Sequence, residues 1–244
     1  MLLNDIKAAV AATNPAQRNW DRSRDIPKEH MDLFEEIIRL APTKQNETHY
    51  KVFMFKDPTT IRKIYDKTNY FGVPPAKEGD DPTAFTNNQG ITKDEYNVKN
   101  SQVWSNLVIA LCEDWDQSRS RTLIHKIVDE RKDVNYEAIR EKNKIIHVSQ
   151  GILLGELMLA ATLLGYRTGL CSAYGPQDMW DFVEGSECNC LLGIGFPHPD
   201  KDRREHEEVY NRDIVAEDRR TGPLDEKWKF PTFEKEVYVK RDDV

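Results

Sequence analysis

The stretch from Ile145 to Gly165, IIHVSQGILLGELMLAATLLG, constrains the fold most, because it is apolar almost all round and long enough to cross a bilayer. It carries a GxxxG spacing, at Gly151 and Gly155, that is typical of closely packed helices. Polar groups within it, such as Glu156, would be costly in lipid, and the sequence has no second stretch of this kind. We therefore predict the central helix of a soluble core, packed against a second copy of the chain, and not a membrane span.

The charge balance argues against a protein that coats nucleic acid. The 244 residues include 35 Lys and Arg against 42 Asp and Glu, which gives a net charge of −7, whereas a nucleic-acid protein usually shows a basic stripe. Apolar residues make up 39% of the chain, which is low, so burial of the central helix between two copies would supply missing core. The average charge still allows a local site for one small anion.

The cysteines indicate a reducing compartment. The chain has four cysteines, Cys112, Cys171, Cys188 and Cys190, and none of them is in a C-x-x-C spacing. Four cysteines do not form a disulfide framework in a chain of this size. We expect buried thiols and no metal site. The N-terminal segment MLLNDIKAAV meets a charged residue before any apolar stretch develops, which is unlike a signal peptide. We therefore expect a cytoplasmic protein.

Apolar periodicity and the positions of Pro and Gly divide the chain into interspersed helices and strands, with no linker and no repeat. One helix has a start signal in which Asp25 is the expected N-cap and Pro27 lies near the first turn. We predict helices over 1–12, from that signal to residue 41, over 59–67, from about 134 through the central stretch, and over 176–184. We predict strands over 50–55, 107–112, 167–172, 190–196 and in the EVYVK segment near the end. Residues 1–244 thus form one α+β domain with a central mixed sheet of four or five strands, flanked by helices.

Residues 70–95 are rich in Gly, Pro, Asp, Asn and Thr and show no periodicity. A loop of this length is usually functional or mobile, and we expect it to cover a binding site. Its composition does not identify a substrate.

The glycines of Gly193-Ile-Gly195 resemble part of a dinucleotide fingerprint, but the third Gly is missing and Pro197 follows where a helix should open. We therefore assign them to strand packing and a turn. The sequence also has no G-x-S-x-G and no Walker loop. No catalytic side chain is identified from these patterns.

Three polar stretches next to regular elements indicate a built anion site. They are RNWDRSR at 18–24, before a helix, APTKQN at 41–46, between a helix and a strand, and PHPDKDRR at 197–204, after a strand. Each alone is an ordinary charged loop. Their joint occurrence favours a phosphate-binding site, because phosphate needs fixed cationic donors and Arg supplies planar, bidentate ones.

These segments resemble the nitroreductase-like flavoprotein family. RNWDRSRDIPKEHMDLFEEIIRLAPTKQNETHYKVFMF is similar to the family pattern of Arg-x-Ser-x-Arg, a helix, Ala-Pro-Ser-x-x-Asn-x-Gln-Pro-Trp and a strand. GILLGELMLAATLLGYRTGL resembles the long family helix, and LLGIGFPHPDKDRREHEEV resembles the closing strand with its basic cluster. The resemblance covers about residues 18–210 in the family order. It implies an intertwined α+β homodimer with two FMN molecules, tightly and non-covalently bound at the subunit interface.

The resemblance also implies roles for the first basic stretch. Arg18 matches the family arginine that grips the FMN phosphate, and Arg22 matches the one near the pyrimidine edge of the flavin. Asn19 and Trp20 lie between them, and Trp20 stands where the family usually has Ser.

A second set of contacts is implied to come from the partner subunit. Four residues match the Pro-Ser-x-x-Asn segment that the partner offers to the flavin: Pro42, Thr43, Lys44 and Asn46. The Gln-Pro-Trp that usually follows is replaced by Thr48, His49 and Tyr50.

The remaining implied contacts lie later in the chain. Asn97 and Asn100 match an amide contact to the flavin ring, and Ser172 and Ala173 match the backbone behind it. Lys201, with Arg203 or Arg204, matches the C-terminal phosphate clamp. The extension at about 205–244 is expected to pack on the partner subunit.

These resemblances favour an FMN-dependent oxidoreductase, in which NADH or NADPH reduces the flavin and leaves before a nitroaromatic, a quinone or a similar small acceptor binds. A cation or an amide donor at the pyrimidine edge, such as Arg22 or Asn100, would stabilise the reduced flavin. Other interpretations stay open: a flavin-binding or ligand-binding dimer without nicotinamide turnover, a scaffold with a degenerate site, or a specialised reductive dehalogenase or flavin-cleaving enzyme. The physiological substrate and the choice between NADH and NADPH are not encoded in these patterns.

Overall fold

A computed structural model describes residues 2–13, 16–46, 50–68, 99–114 and 136–201, and every structural statement below concerns these residues. The loop at 70–95, the strand expected in EVYVK and the extension at about 205–244 lie outside them.

The described chain forms four α-helices and five strands. The helices are α1 (Leu2–Thr13), α2 (Lys28–Leu40), α3 (Pro58–Lys67) and α4 (Tyr136–Leu163). The strands are β1 (Trp20–Asp21), β2 (Tyr50–Phe55), β3 (Leu107–Glu113), β4 (Arg167–Cys171) and β5 (Cys188–Pro197). Short 3-10 turns cover Lys44–Asn46, Ser101–Val103 and Pro176–Met179.

The sheet has β5 at its centre. β3 pairs with β5 on one side and β2 pairs with β3, while β4 and the short β1 also pair with β5. Every pairing among the described strands is antiparallel, which corrects the expected mixed sheet. The physical reason is that β3 and β4, joined across α4, run in the same direction but leave a gap between them. β5 then fills this gap in the opposite direction.

Helices cover both faces of the sheet, so alternate residues of β3 and β5 enter two separate cores. On one face, the α2/α4 face, Ile109 and Leu192 pack with Phe34 of α2 and Leu157 of α4. On the other, the α3 face, Val108, Cys112 and Leu191 pack with Ile64 and Tyr65 of α3. This double coverage explains why LVIALC is apolar without interruption.

The central apolar stretch is confirmed as a core helix. Leu153, Leu157 and Ala161 lie fully buried at four-residue spacing, so one stripe of α4 packs on the sheet. The part from Lys144 to Leu163 is long and apolar enough to cross a membrane, but a core helix passes the same test. Its other side carries exposed apolar residues, including Val148 and Ile152.

Three local expectations differ from the structure. The N-cap of α2 is Pro27 and not Asp25, because the Pro27 carbonyl itself accepts the first turn's hydrogen bonds from His30 and Met31. The predicted helix at 176–184 is a 3-10 turn over Pro176–Met179 followed by turns, and positive φ angles at Glu184 and Gly185 end it. The two-residue strand β1 is absent from the sequence-based expectation.

Candidate functional site

The segment before β1 extends the edge of β4. The backbone N–H of Gln17 donates to the carbonyl of Thr168 at 2.9 Å, so residues 17–19 run beside this strand. Arg18 is buried there and interacts electrostatically with Cys171 at the end of β4. The first basic stretch is thereby fixed to the backbone that leads into Ser172 and Ala173.

The turn at 100–102 packs onto β4 and β5 through a pair of glycines. Gly169 and Gly193 are cross-strand partners, and a side chain on either one would overlap with the backbone carbonyl of Gln102 or approach it to 3.0 Å. The assignment of Gly193 to strand packing is therefore confirmed. Because neither residue has a Cβ, the turn can approach the sheet closely.

Three segments consequently meet on the α3 face of the sheet: 17–19, 100–102 and 168–173. We call them the polar cluster. Two side-chain oxygens in this cluster are buried without a hydrogen-bond partner in the described ranges: Gln17 Oε1 and Ser101 Oγ. Thr168 Oγ1 is also buried and unpaired, but Thr168 is opposite Ile194, so its side chain lies on the α2/α4 face. Buried oxygens of this kind are costly unless a ligand or water satisfies them, so the polar cluster has the character of a binding site.

The charge in the polar cluster comes from Arg18. Burial lowers the pKa of its guanidinium to about 10, so Arg18 remains protonated at neutral pH. Burial also raises the pKa of the neighbouring Cys171 thiol to about 11, which keeps that thiol neutral. A buried cation favours an anionic ligand group.

Asn100 lies at the start of the 3-10 turn and is buried. Its backbone N–H donates to Thr68 Oγ1 at 2.8 Å, and its side-chain oxygen accepts from the Gln102 N–H at 3.1 Å. The hydrogen bonds of Asn100 within the described residues use its backbone N–H and its Oδ1, so its Nδ2 amide is available to a ligand.

The turn after β5 reaches the same region. The backbone N–H of His198 donates to the carbonyl of Asn19 at 3.1 Å, and the half-buried Lys201 follows three residues later. This contact places the first and last basic stretches next to each other. Arg203 and Arg204, the other candidates for the phosphate clamp, lie outside the described residues, as does Asn97.

Trp20 is structural in this arrangement. Its ring is buried, and its N–H donates to the carbonyl of Ser101 at 2.7 Å. An indole has a single donor, so this side chain has no further N–H for a cofactor. Trp20 instead joins the first basic stretch to the turn at 100–102.

Arg22 is exposed and stacks on an aromatic ring. Its guanidinium carbon lies 3.8 Å from the ring centroid of Trp104, and Nη1 donates to the carbonyl of the same residue at 3.3 Å. The Trp104 ring is itself stacked on Tyr65 at 4.8 Å. Because Trp104 follows the turn at 100–102, this stack holds the Arg22 guanidinium beside the polar cluster.

The turn from Pro42 to Asn46 lies on the other face of the sheet. The Lys44 N–H donates to Ser149 Oγ of α4 at 3.3 Å, and the Asn46 N–H donates to the Thr43 carbonyl at 3.0 Å. The sheet therefore separates Pro42, Thr43, Lys44 and Asn46 from the polar cluster of the same chain. Thr48 and His49 are outside the described residues, whereas Tyr50 is buried at the start of β2.

Sequence reasoning missed Gln17, Ser101, Gln102 and Thr168. Their polar types are unremarkable in a charged chain, and their role depends on contacts between distant segments. A usable signal was the isolated Gly169 within a strand pattern, which often marks a close backbone approach.

Comparisons with known proteins show which fold this chain has. No family model matches the chain. A curated relative, the major NAD(P)H-flavin oxidoreductase of Aliivibrio fischeri, is 22% identical over 192 residues, which cover 76% of this chain and 84% of the relative. A nitroreductase-like protein from Streptococcus mutans superposes with a TM-score of 0.53 at 14% identity, covering 85% of this chain and 96% of that one. This chain has the nitroreductase-like fold.

A second solved structure carries a cofactor. It is a protein of Exiguobacterium sibiricum, assigned as a nitroreductase and solved in complex with FMN. It superposes with a TM-score of 0.51 at 19% identity, and the match covers 81% of this chain and 92% of that one. The resemblance drawn from the sequence and the expected α+β fold class are thus confirmed.

Proposed function

We propose that the protein is an FMN-dependent oxidoreductase that takes hydride from NADH or NADPH and passes electrons to a small acceptor such as a nitroaromatic or a quinone. The observation that carries the proposal is the buried, protonated Arg18, whose neighbours Gln17 and Asn19 are hydrogen-bonded to Thr168 of β4 and to His198. Arg18 lies in a fold that the chain shares with an FMN complex. The flavin-oxidoreductase relative supports the same activity.

The residues of the polar cluster fit FMN. Arg18, with Lys201 in the adjacent turn after β5, supplies positive charge for the phosphate. The Asn100 Nδ2 amide is a donor suited to a flavin carbonyl, and the orphaned oxygens of Gln17 and Ser101 are acceptors for ring or ribityl groups. A site with fixed cations at one end and neutral donors and acceptors nearby matches a ligand that joins a phosphate to a polar ring.

When bound, FMN supplies the hydride and electron chemistry, so the chain needs no nucleophile or triad of its own. Arg22 contributes a fixed positive charge beside the polar cluster, because Trp104 holds its guanidinium in a plane. Its position suits the pyrimidine edge, where negative charge gathers on reduction. Burial of Arg18 excludes water from the guanidinium and strengthens its interaction with an anion.

The visible absorption spectrum of the purified full chain tests the proposal. We expect a yellow protein that releases FMN on denaturation, and rapid bleaching of the flavin on stopped-flow mixing with NADH or NADPH. A colourless protein that takes up no added FMN would contradict the cofactor assignment. Binding of FMN without bleaching by either nucleotide would instead identify a flavin-binding protein without nicotinamide turnover.

We further propose that the functional unit is a homodimer, with α4 at the interface. The outer side of α4 presents Val148, 51% exposed, and Ile152, 39% exposed, next to Gly151 and Gly155, around which a Cβ would meet nothing within 4 Å. α1 packs on α4 and adds an exposed Val10. Exposed apolar residues on two adjoining helices favour a second copy of the chain.

A dimer also explains the position of the turn from Pro42 to Asn46. This turn packs on α4, away from the polar cluster of its own chain, so it borders the proposed interface. From there it would approach the polar cluster of the partner subunit. We also propose that the extension at about 205–244 packs on the same partner subunit. Finally, we propose a cytoplasmic location, because four free thiols suit a reducing compartment.

A further inference from the structure

Two cysteines face each other where β3 ends and β5 begins. Cys112 of β3 and Cys188 of β5 are cross-strand partners, and both are buried on the α3 face. A side-chain hydrogen bond joins their thiols. Both are free cysteines in the structure.

The strand register brings these two residues close. The Glu113 N–H donates to the Glu187 carbonyl at 2.8 Å, which makes the neighbouring position, Cys112 opposite Cys188, a non-hydrogen-bonded one. Such pairs have Cα atoms about 4.5 Å apart, with side chains closer than at hydrogen-bonded positions. A disulfide requires a Cα separation of about 4.4–6.8 Å, so the pair can close without moving either strand.

A β-bulge separates this pair from the third cysteine of the region. Leu111 is opposite Cys190 and Cys112 is opposite Cys188, so Asn189 is an extra residue. The bulge turns Cys190 onto the α2/α4 face, whereas Cys188 stays on the α3 face with Cys112. The register thus selects Cys112 as the partner of Cys188.

Tyr174 makes Cys188 the more reactive sulfur. Its hydroxyl donates to Cys188 Sγ at 3.3 Å and lies 3.2 Å from the Cys188 carbonyl. Hydrogen bonds from Cys112 and Tyr174 lower the pKa of the Cys188 thiol, against the effect of burial. The same thiol pair raises the pKa of Cys112, and burial raises the pKa of Cys190 to about 12. Cys188 is also slightly exposed, at 6%, whereas Cys112 is completely buried.

We propose that Cys112 and Cys188 form a redox-active dithiol that reduces a hydroperoxide and closes into a cross-strand disulfide. With hydrogen peroxide, the Cys188 sulfur attacks one peroxide oxygen, the O–O bond breaks, and the leaving hydroxide takes the proton that Cys188 lost. The Cys112 sulfur then attacks the sulfenic sulfur of Cys188, the S–O bond breaks, and the hydroxyl leaves as water with the Cys112 proton. Two thiols lose two electrons, and one peroxide becomes two waters.

Closing the disulfide would change a hydrogen bond of Tyr174, and Tyr174 is connected to the polar cluster. This residue follows Ser172 and Ala173, and its backbone forms a β-bridge with Thr68, whose hydroxyl accepts from the Asn100 N–H at 2.8 Å. Closing the disulfide converts the thiol sulfur that Tyr174 donates to into a disulfide sulfur. The hydroxyl would then rely on the Cys188 carbonyl.

Peptide mapping of the full chain tests the proposal. The reduced protein is treated with hydrogen peroxide, denatured, alkylated with N-ethylmaleimide and digested for mass spectrometry. We expect one peptide pair linked through Cys112 and Cys188, lighter by two hydrogen atoms, with Cys171 and Cys190 alkylated. Alkylation of all four thiols, a link between any other pair, or sulfinic acid at Cys188 would overturn the proposal.

Matched variants extend the test. Cys190→Ala removes a thiol on the same strand but on the opposite face, and it should leave the link intact. Cys112→Ala should abolish the link and leave a sulfenic acid on Cys188 that dimedone traps, whereas Cys188→Ala should abolish both products. Dimedone labelling at another cysteine in Cys112→Ala would also overturn the proposal. Because the wild-type map is decisive alone, the test does not depend on the folding of any variant.

Discussion

The backbone carbonyl of Gln102 occupies the space that a side chain on Gly193 would need. This contact seats the turn at 100–102 on the sheet, since Gly193 is on β5 and its cross-strand partner Gly169 is on β4. The proposed cofactor site therefore depends on the absence of a side chain at Gly169 and at Gly193, although neither residue carries a functional group.

Gly193→Ala should destabilise the protein by about 1–3 kcal/mol and weaken FMN binding, because the new methyl group overlaps with a backbone atom that cannot rotate away. Chemical denaturation and FMN fluorescence titration measure the two effects. Glu36→Ala is the control, since Glu36 is exposed on α2, away from the turn at 100–102 and from α4's outer side, and Ala favours a helix. Similar losses in both variants would contradict the role of the contact.

Arg18→Ala should raise the Kd for FMN by roughly 10- to 100-fold, since it removes charge-assisted hydrogen bonds of about 1.5–3 kcal/mol. Because its pKa is about 10, Arg18 stays charged at neutral pH, and its contribution to binding should fall only as the pH rises through 10. Arg39→Ala is a suitable control, because Arg39 is an exposed residue of α2 paired with Glu35. An equal rise in Kd for both variants would argue against phosphate binding by Arg18.

Arg22→Lys should slow reduction of the flavin by NADH or NADPH roughly tenfold, with a smaller effect on FMN affinity. Lys lacks the planar group that stacks on Trp104, so the charge beside the polar cluster would no longer be fixed. Arg24→Lys is a close control, because Arg24 also stacks on an aromatic ring, that of Phe196 at 3.7 Å. Stopped-flow reduction and FMN titration separate the two effects, and equal slowing in both variants would remove Arg22 from the proposed role.

Elements with a strong apolar pattern can be predicted from this sequence, and elements defined by long-range contacts cannot. α4 and β3 have apolar runs that are stable only when they are buried. The buried residues of both elements confirm these predictions. β1 has two residues and no periodicity, because its position depends on pairing with the end of β5. The antiparallel arrangement follows from where the chain returns after α4, which local patterns do not contain.

The candidate site divides in the same way. Arg18 and Asn100 can be selected through the family resemblance, since their residue types and order match. The structural role of Trp20 depends on the carbonyl of Ser101, which is far away in sequence. The orphaned oxygens of Gln17 and Ser101 likewise become significant only when their segments meet.

Asp57→Ala should lower the thermal midpoint at pH 7 by about 2–4 °C, as expected for the loss of a helix cap. Asp57 caps α3 by accepting from the Thr60 N–H at 2.7 Å and the Thr60 hydroxyl at 2.8 Å, and these bonds lower its pKa. The stabilisation is therefore present above the unfolded pKa near 3.8 and lost as the pH falls through the lower folded value. Asp57→Asn keeps an acceptor without titrating, so a midpoint difference from wild type that is unchanged below pH 3 would contradict this assignment.

Ile152→Glu should convert the dimer to a monomer and reduce FMN retention, because a carboxylate on the outer side of α4 would be buried against the second copy. Leu33→Glu on α2 is a matched control: Leu33 is 37% exposed and Ile152 is 39% exposed, so the two are equivalent in an isolated chain. Sedimentation velocity gives the assembly state, and released FMN per chain gives retention. A well-folded wild-type monomer that retains FMN would exclude the interface, since the turn from Pro42 to Asn46 cannot reach the polar cluster of its own chain across the sheet. If Ile152→Glu alone dissociates and loses FMN, the second copy completes the site.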